Sequence, residues 1–525
     1  MTSEHANLRE AAPRFLFPSV RDIVFIFLFC SVLAGTLSNR PLADPDIGWH
    51  IRTGEQILLT HTLPRTDPYS SLMHGQPWFA WEWLYDLALG ILHHFCGLNG
   101  VVWLCALLVA TTFTLLLSQL MTRGTGLLLA IVLMLLAEAA ATVHLFARPH
   151  IASWLLVLLW FLALEQWQQG SVPPRLSWFF PVSMLLWVNV HGEFIVGLVL
   201  MAIYTFTALV ESWRSQDPFK SVLTAQRARR MIWFGVLSAL ATFVNPYGWH
   251  LHQHIYRYLG DRYLMDCISE FLSPNFHFWA QRCFGFILVL TMVAWRGRSV
   301  SLCHLLVTLL AVYMALFSTR NLPVSSMLLV LLIGPALGQS VADVSETPGA
   351  WRWLRTRVAR GLAFSERMRE QEFQLRGHIW PVVCVIGALA LCLHGGRLGS
   401  LQLVREHFDS KVIPVAATDF VERQPDREAV FTTDSWGGYL IYRLYPRRLV
   451  VVDDRHDLYG SGRVRQILVA MQGKPGWEKV LEDLQVRTVL LPADSTLVGL
   501  LRELPQDWQL QFEDKLAVVF ERRVR

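Results

Sequence analysis

The sequence predicts an α-helical polytopic membrane protein with a soluble α/β domain at its C-terminus, and three observations lead there. Hydrophobic residues make up 53% of the 525 positions and charged residues 17%, with a mean hydropathy of +0.37. That is too apolar for a soluble domain in a chain too long for one core. About eleven apolar runs are long enough to cross roughly 30 Å of hydrocarbon. From about Gly396 onward the composition becomes that of a soluble domain.

The apolar runs start near Ile23, Val101, Gly126, Ile151, Leu176, Phe194, Met231, Trp279, Leu302, Leu322 and Ile379. Arg9, Arg14 and Arg21 precede the first run as in a signal peptide, but no small-residue cleavage site follows it, so it reads as a retained helix. The stretch "WLYDLALGILHHF", residues 83–95, carries Asp86 and a His pair and reads as an amphipathic interfacial helix rather than a span.

Lys and Arg collect in cytoplasmic connections. Arg214, Lys220, Arg227, Arg229 and Arg230 crowd one predicted loop, and Arg352, Arg355, Arg357, Arg360, Arg367, Arg369 and Arg376 crowd another. An eleven-span count puts both on the side of the N-terminus, about as the rule requires. The net charge of +5 is therefore a topology signal and points to no nucleic acid.

The same count sends the polar, aromatic-rich motifs to the opposite side. These are "DPDIGWH", "RTDPYS" and "HGQPWFAWEWL" in a long first loop (about residues 39–99), "FARPH", "WVNVHGEF", "FVNPYGWHLHQH", "STRNLP", and everything after about His394. Eight cysteines without a CxxC give no metal or redox motif, although Cys267 and Cys283 could pair.

In residues 397–525, the runs "EAVFTT", "RRLVVVDD", "VRTVLLPA" and "KLAVVFERR" read as strands. They alternate with helix-like stretches at 412–423 and 462–471. The Gly437–Gly438 pair in "TDSWGGYLIYRLYP" suits a tight strand-to-helix turn. No Gly-rich phosphate motif marks a nucleotide site.

Asp44 and Asp46 stand directly after the first apolar run, and an acid at a membrane mouth is costly unless paired, hydrated or functional. They can be hydrated loop acids. Against this, Pro45 stiffens the pair, and Trp49, His50, Asp67, His74, Trp78 and Glu82 lie in the same loop, so a cavity at the outer face is expected. Arg148 and Arg320, each at the end of a span, suit a phosphate or snorkel to headgroups. His191 suits either a phosphate contact or a structured turn, Glu270 is a second acid candidate, and His250, His252 and His254 suit an interface better than a metal. Trp49, Trp78 and Trp436 are candidates for stacking on a sugar.

The ordered set "DPDIGWHIRTGE", "PRTDPYS", "GQPWFAWEWL", "ARPH", "NVHGEF", "VNPYGW", "EFLSPNF", "RNLP" and "WGGYLIYRLYP" resembles the GT-C superfamily of integral membrane glycosyltransferases, in a bacterial branch, over essentially the whole chain. The resemblance implies a GT-C-like transmembrane domain at 1–396 in the bacterial cytoplasmic (inner) membrane, N-terminus inside, with the α/β domain at 397–525 outside. It implies transfer of a sugar from a polyprenyl-phosphate-linked donor to a lipid, glycan or protein acceptor. Asp46 and Asp44 match the position of the catalytic base or of a ligand to a divalent cation such as Mg or Mn. Arg148, His191, Arg320, His50 and Trp49 become candidates for donor phosphate or substrate binding. The other readings are a transporter or envelope-assembly scaffold, and a GT-C-like polymerase or ligase with a lipid-diphosphate donor. The acids lie in loops at one face and no internal repeat is evident, which favours the enzyme.

Overall fold

The computed structural model describes residues 16–170, 174–346, 351–375 and 377–523. Arg9, Arg14 and Arg376 lie outside them.

A helix stands at each predicted apolar run. α1 (Val20–Ala34) is opened by a capping box in which Ser19 and Asp22 satisfy each other's backbone N–H. α2 (Ile47–Thr60) and α3 (Trp83–Cys96) occupy the first loop. Then come α4 (Leu98–Thr122), α5 (Leu127–Ala141), α6 (His150–Gln168), the short α7 (Phe179–Trp187), α8 (Phe194–Arg214) and α9 (Pro218–Ala241). α10 (Trp249–Gly260) and α11 (Arg262–Cys267) form a second helical connection. It leads to α12 (Trp279–Trp295), α13 (Leu302–Phe317), α14 (Leu322–Glu346), α15 (Arg352–Gln374) and α16 (Ile379–Leu393). The first half of α14 is buried on every side, which makes it the centre of the bundle.

Among the described residues, five stretches are long and apolar enough to cross a membrane: Leu98–Thr122, Leu127–His144, His150–Gln168, Phe194–Arg214 and Thr319–Glu346. Trp279–Trp295, Leu302–Phe317 and Ile379–Leu393 are shorter apolar helices.

The first predicted basic loop is mostly helix. Arg214 ends α8 and Lys220, Arg227, Arg229 and Arg230 belong to α9, because Asp217 caps that helix and Pro218 opens it. The second is α15, whose Glu372 binds the Val20 amide and the Arg21 guanidinium at the start of α1. Both basic segments and the start of α1 thus lie at the end of the bundle away from the first loop.

The C-terminal region begins with a small hairpin, β1 (Arg397–Leu398) and β2 (Leu401–Gln402). A four-stranded sheet follows in the order β3 (Val430–Phe431), β4 (Thr488–Pro492), β6 (Ala517–Arg522), β5 (Trp508–Glu513), with β3 and β4 parallel and the other pairs antiparallel. Its helices are α17 (Val415–Arg423), α18 (Asp434–Leu444), α19 (His456–Met471), α20 (Trp477–Asp483) and α21 (Thr496–Arg502).

Two expectations for this region change. "RRLVVVDD" is no strand of the sheet: Val450 bridges Val430 on one side and Ser70 of the first loop on the other, which carries the chain out of the sheet toward the membrane helices. Gly437 and Gly438 are interior residues of α18 rather than a turn. Their lack of Cβ serves close approach, since a Cβ on Gly437 would lie 2.6 Å from Asp453 Cα and one on Gly438 2.6 Å from the Pro45 oxygen. Similarly, a Cβ on Gly48 would collide with the Gly438 carbonyl. α18 therefore seats directly on the start of α2.

Candidate functional site

The acidic pair is held by its own backbone. The Asp44 carboxylate accepts the Asp46 amide at 3.0 Å, an Asx turn that places Asp46 as the residue preceding α2. From the start of α6, Arg148 Nη1 donates to Asp44 Oδ2 at 2.8 Å, Asp46 Oδ2 at 3.2 Å and Glu270 Oε1 at 3.3 Å. Burial alone would lower the Arg148 pKa; Asp44, Glu270 and Asp46 outweigh it and hold the guanidinium charged. Burial would likewise raise Glu270, but His144, Arg148 and Arg320 bring it down to about 2.

The C-terminal region supplies a further acid. Asp454 accepts the Trp49 indole N–H at 3.1 Å and lies beside Asp46, whose Oδ1 is buried without a hydrogen-bond partner among the described residues. Burial pushes Asp454 up to about 6, and burial together with Asp44 and Asp454 pushes Asp46 well above the carboxylate range. Asp46 and Asp454 are therefore both raised above the ordinary carboxylate range and titrate as a pair.

Arg455 anchors this segment. It is 3% exposed, makes paired contacts with Asp453 at 2.8 and 2.6 Å, meets Asp67 at 2.8 Å, and lies over Trp78 at 4.7 Å from the ring centre. A buried guanidinium with two carboxylates and an aromatic face fixes residues 453–457 over the first loop.

Deeper lie the histidines. His50, fully buried, bonds Asp86 through Nδ1 at 2.6 Å. His191 bonds Ser153 Oγ through Nδ1 at 2.9 Å, and Arg320 Nη2 stands 3.1 Å from its Nε2. Arg320 also reaches Glu270 at 3.6 Å.

These groups line two adjoining cavities. A polar chamber of about 60 Å³ is walled by Trp49, Glu82, Asp86, Arg148, Asp454 and Arg455 among others. A larger groove of about 340 Å³ carries Glu82, His191 and Arg320 at its polar end and Ile195, Val196, Ile255, Leu259, Phe271 and Phe317 along its apolar walls. Glu82, Arg320, Trp81 and Tyr258 line both, so they mark the junction. Leu259 and Phe317 are half exposed or more, which opens the groove sideways on the apolar surface of the bundle.

The structure thus brings together Asp44, Asp46, Trp49, His50, Arg148, His191, Glu270 and Arg320 from five separated segments. Others go elsewhere. His252 bonds Thr242 and His254 bonds Asp457, Trp436 is core with its N–H on the Val412 carbonyl, and Cys267 and Cys283 are both free. Trp78 lies against Arg455 in the chamber wall. Sequence reasoning missed Asp454, at the end of a run read as a strand, and Arg455, directly after it. The acid–base density of "DDRHD" was the available signal.

A divalent cation fits these residues poorly. Asp44 and Asp46 each turn an oxygen onto the Arg148 guanidinium. Among the described residues no group of three or more His, Cys, Asp or Glu is placed to hold a metal ion.

No family model and no curated protein matches the chain. Solved structures do. The Archaeoglobus fulgidus oligosaccharyltransferase tethered to an acceptor peptide containing the NVT sequon aligns at a TM-score of 0.52 and 12% identity, over 90% of this chain and 69% of that one. The same archaeal enzyme, AglB, in complex with an inhibitory peptide and a dolichol-phosphate aligns at 0.51 and 13%, with the same coverage. ArnT from Cupriavidus metallidurans bound to undecaprenyl phosphate aligns at 0.46 and 16%, over 95% of this chain and 97% of that one. The chain thus shares its fold with the archaeal oligosaccharyltransferase.

Proposed function

We propose that the chain transfers a sugar from a polyprenyl-phosphate-linked donor to a hydroxyl-bearing or amide acceptor on the extracytoplasmic face of the bacterial inner membrane. The observation that carries this reading is the junction: an apolar groove open on the side of the bundle ends at Arg320, His191 and Glu82, where a polar chamber lined by Asp454, the partner of Asp46, begins. A long isoprenoid tail suits the groove, its phosphate suits Arg320 and His191, and its sugar suits the chamber. Among fold neighbours, one archaeal oligosaccharyltransferase was solved with a dolichol-phosphate, consistent with that assignment.

In this reading the Asp46–Asp454 pair takes the acceptor's proton as the acceptor attacks the anomeric carbon. The carbon–oxygen bond to phosphate breaks, and its electron pair stays on the phosphate oxygen beside Arg320. Arg148 keeps Asp44, Asp46 and Glu270 fixed without repelling one another, a positioning role rather than phosphate binding. The chamber holds only a few water molecules as it stands, so admitting a sugar requires its walls to part.

The test is turnover by the purified full chain in lipid nanodiscs, with undecaprenyl-phosphate-linked hexoses offered beside envelope extracts as acceptor. Release of undecaprenyl phosphate that depends on acceptor supports the reading. Release only from lipid-diphosphate donors would move it to a polymerase or ligase, and no release from either would end it.

A further inference from the structure

Glu82, which precedes α3, has no role in the reaction so far, yet it stands where the two cavities meet. It is 8% exposed. Its Oε1 lies 3.5 Å from His191 Nε2 and its Oε2 3.9 Å from His50 Nε2.

The protonation of these neighbours can be worked out. Arg320 has only hydrogens to offer, so at 3.1 Å His191 Nε2 must be the acceptor. The His191 proton is then on Nδ1 and is donated to Ser153 Oγ, which also accepts the Trp187 indole N–H at 2.8 Å. At 3.5 Å a Glu82 carboxylate would set its charge and lone pairs against the electron-rich Nε2 that Arg320 already holds, whereas a neutral carboxyl meets it with far less repulsion. Burial acts in the same direction by raising the Glu82 pKa. On the other side, Asp86 holds His50 by Nδ1, leaving His50 Nε2 aimed at Glu82 with no other partner among the described residues.

We propose that Glu82 works as a neutral acid at the donor phosphate: beside Arg320 and His191 it is the third group that a phosphate at the junction touches, and it protonates the oxygen released when the sugar leaves. This rests on the donor reading above. The balance closes. The acceptor's proton goes to the Asp46–Asp454 pair, the sugar–phosphate bond breaks toward oxygen, and the Glu82 proton goes to that oxygen. The lipid leaves as the singly charged phosphate ester, and water returns one proton to Glu82 and removes one from the aspartate pair. An ionised Glu82 would instead repel the product phosphate.

The experiment is the affinity of the full-length protein in nanodiscs for undecaprenyl phosphate as a function of pH, compared for wild type, Glu82→Gln, Glu82→Asp and Arg320→Ala. Wild-type affinity is expected to fall by about tenfold or more as Glu82 ionises, beyond any loss shared with E82Q, in which that step is absent. E82D should keep the step at a displaced pH, and it decides the question if E82Q does not purify as a folded protein. Identical pH profiles for wild type and E82Q, or for wild type and E82D where only that variant folds, overturn the proposal. Wild-type binding no tighter than that of R320A overturns the donor reading itself.

Discussion

The Trp49 indole nitrogen donates to the Asp454 carboxylate at 3.1 Å across 405 positions of chain. That bond joins α2, just after the first apolar run, to a segment of the C-terminal region that has left its own sheet. The site is therefore complete only when the C-terminal region is docked, and its acid–base behaviour depends on that docking.

The first consequence concerns stability against pH. Asp454 is raised from 3.8 to about 6, so between those values the folded state binds more protons than the unfolded state and stability falls as pH rises. Asp454→Asn removes the ionisation while its amide oxygen still accepts the Trp49 N–H. Thermal unfolding should show the variant more stable than wild type above about pH 6 and equal to it near pH 4. A difference that grows toward acid pH would refute the assignment.

Asp46→Asn keeps shape and takes one carboxyl out of the proton-accepting pair, so turnover should drop by about a hundredfold or more while the amount of folded protein holds. Asp44→Asn leaves Asp46 and Arg148 in contact and should cost less. Full activity in both variants and in the double variant would remove the acidic pair from the mechanism.

Docking itself can be attacked at a glycine. A Cβ on Gly438 would lie 2.7 Å from Asp46 Cα, backbone that cannot swing aside. Gly438→Ala should cost about 1–3 kcal/mol and reduce turnover by displacing Asp46, whereas Gly387→Ala, where nothing stands near the new methyl, should change neither. Limited proteolysis between the membrane helices and the C-terminal region reads the undocking directly.

Topology is open to a labelling test. Single cysteines at Ser215, between α8 and α9, and at the exposed Asp494, before α21, should react with an impermeant thiol reagent from opposite faces of sealed vesicles, in a background lacking the exposed native cysteines. Reaction of each from the face expected for the other would reverse the side on which the site works, and reaction of both from one face would overturn the span count between them.

Much of the bundle was legible because span-forming helices announce themselves one at a time: the apolar runs from Ile23 to Ile379 each became a helix. Asp44 and Asp46 were legible for a related reason, an acid beside an apolar run being costly without a use. The Gly437–Gly438 pair misled, since a local reading of paired glycines favours a turn. Their real reason is the backbone of Asp453 and Asp46 pressed against them, and no local pattern encodes Asp46, which lies more than 390 positions from Gly438.

By itself, then, the sequence determined a helical membrane protein with an acidic first loop, because hydropathy and charge act residue by residue and leave their pattern in the chain. Only the tertiary structure decided which groups form the site. It set Arg148 between three carboxylates, put Asp454 beside Asp46 so that the two titrate together, and placed Glu82 between two imidazoles. Charge coupling falls off over a few ångströms whatever the separation along the chain, so the chemistry of these groups is a property of the folded neighbourhood.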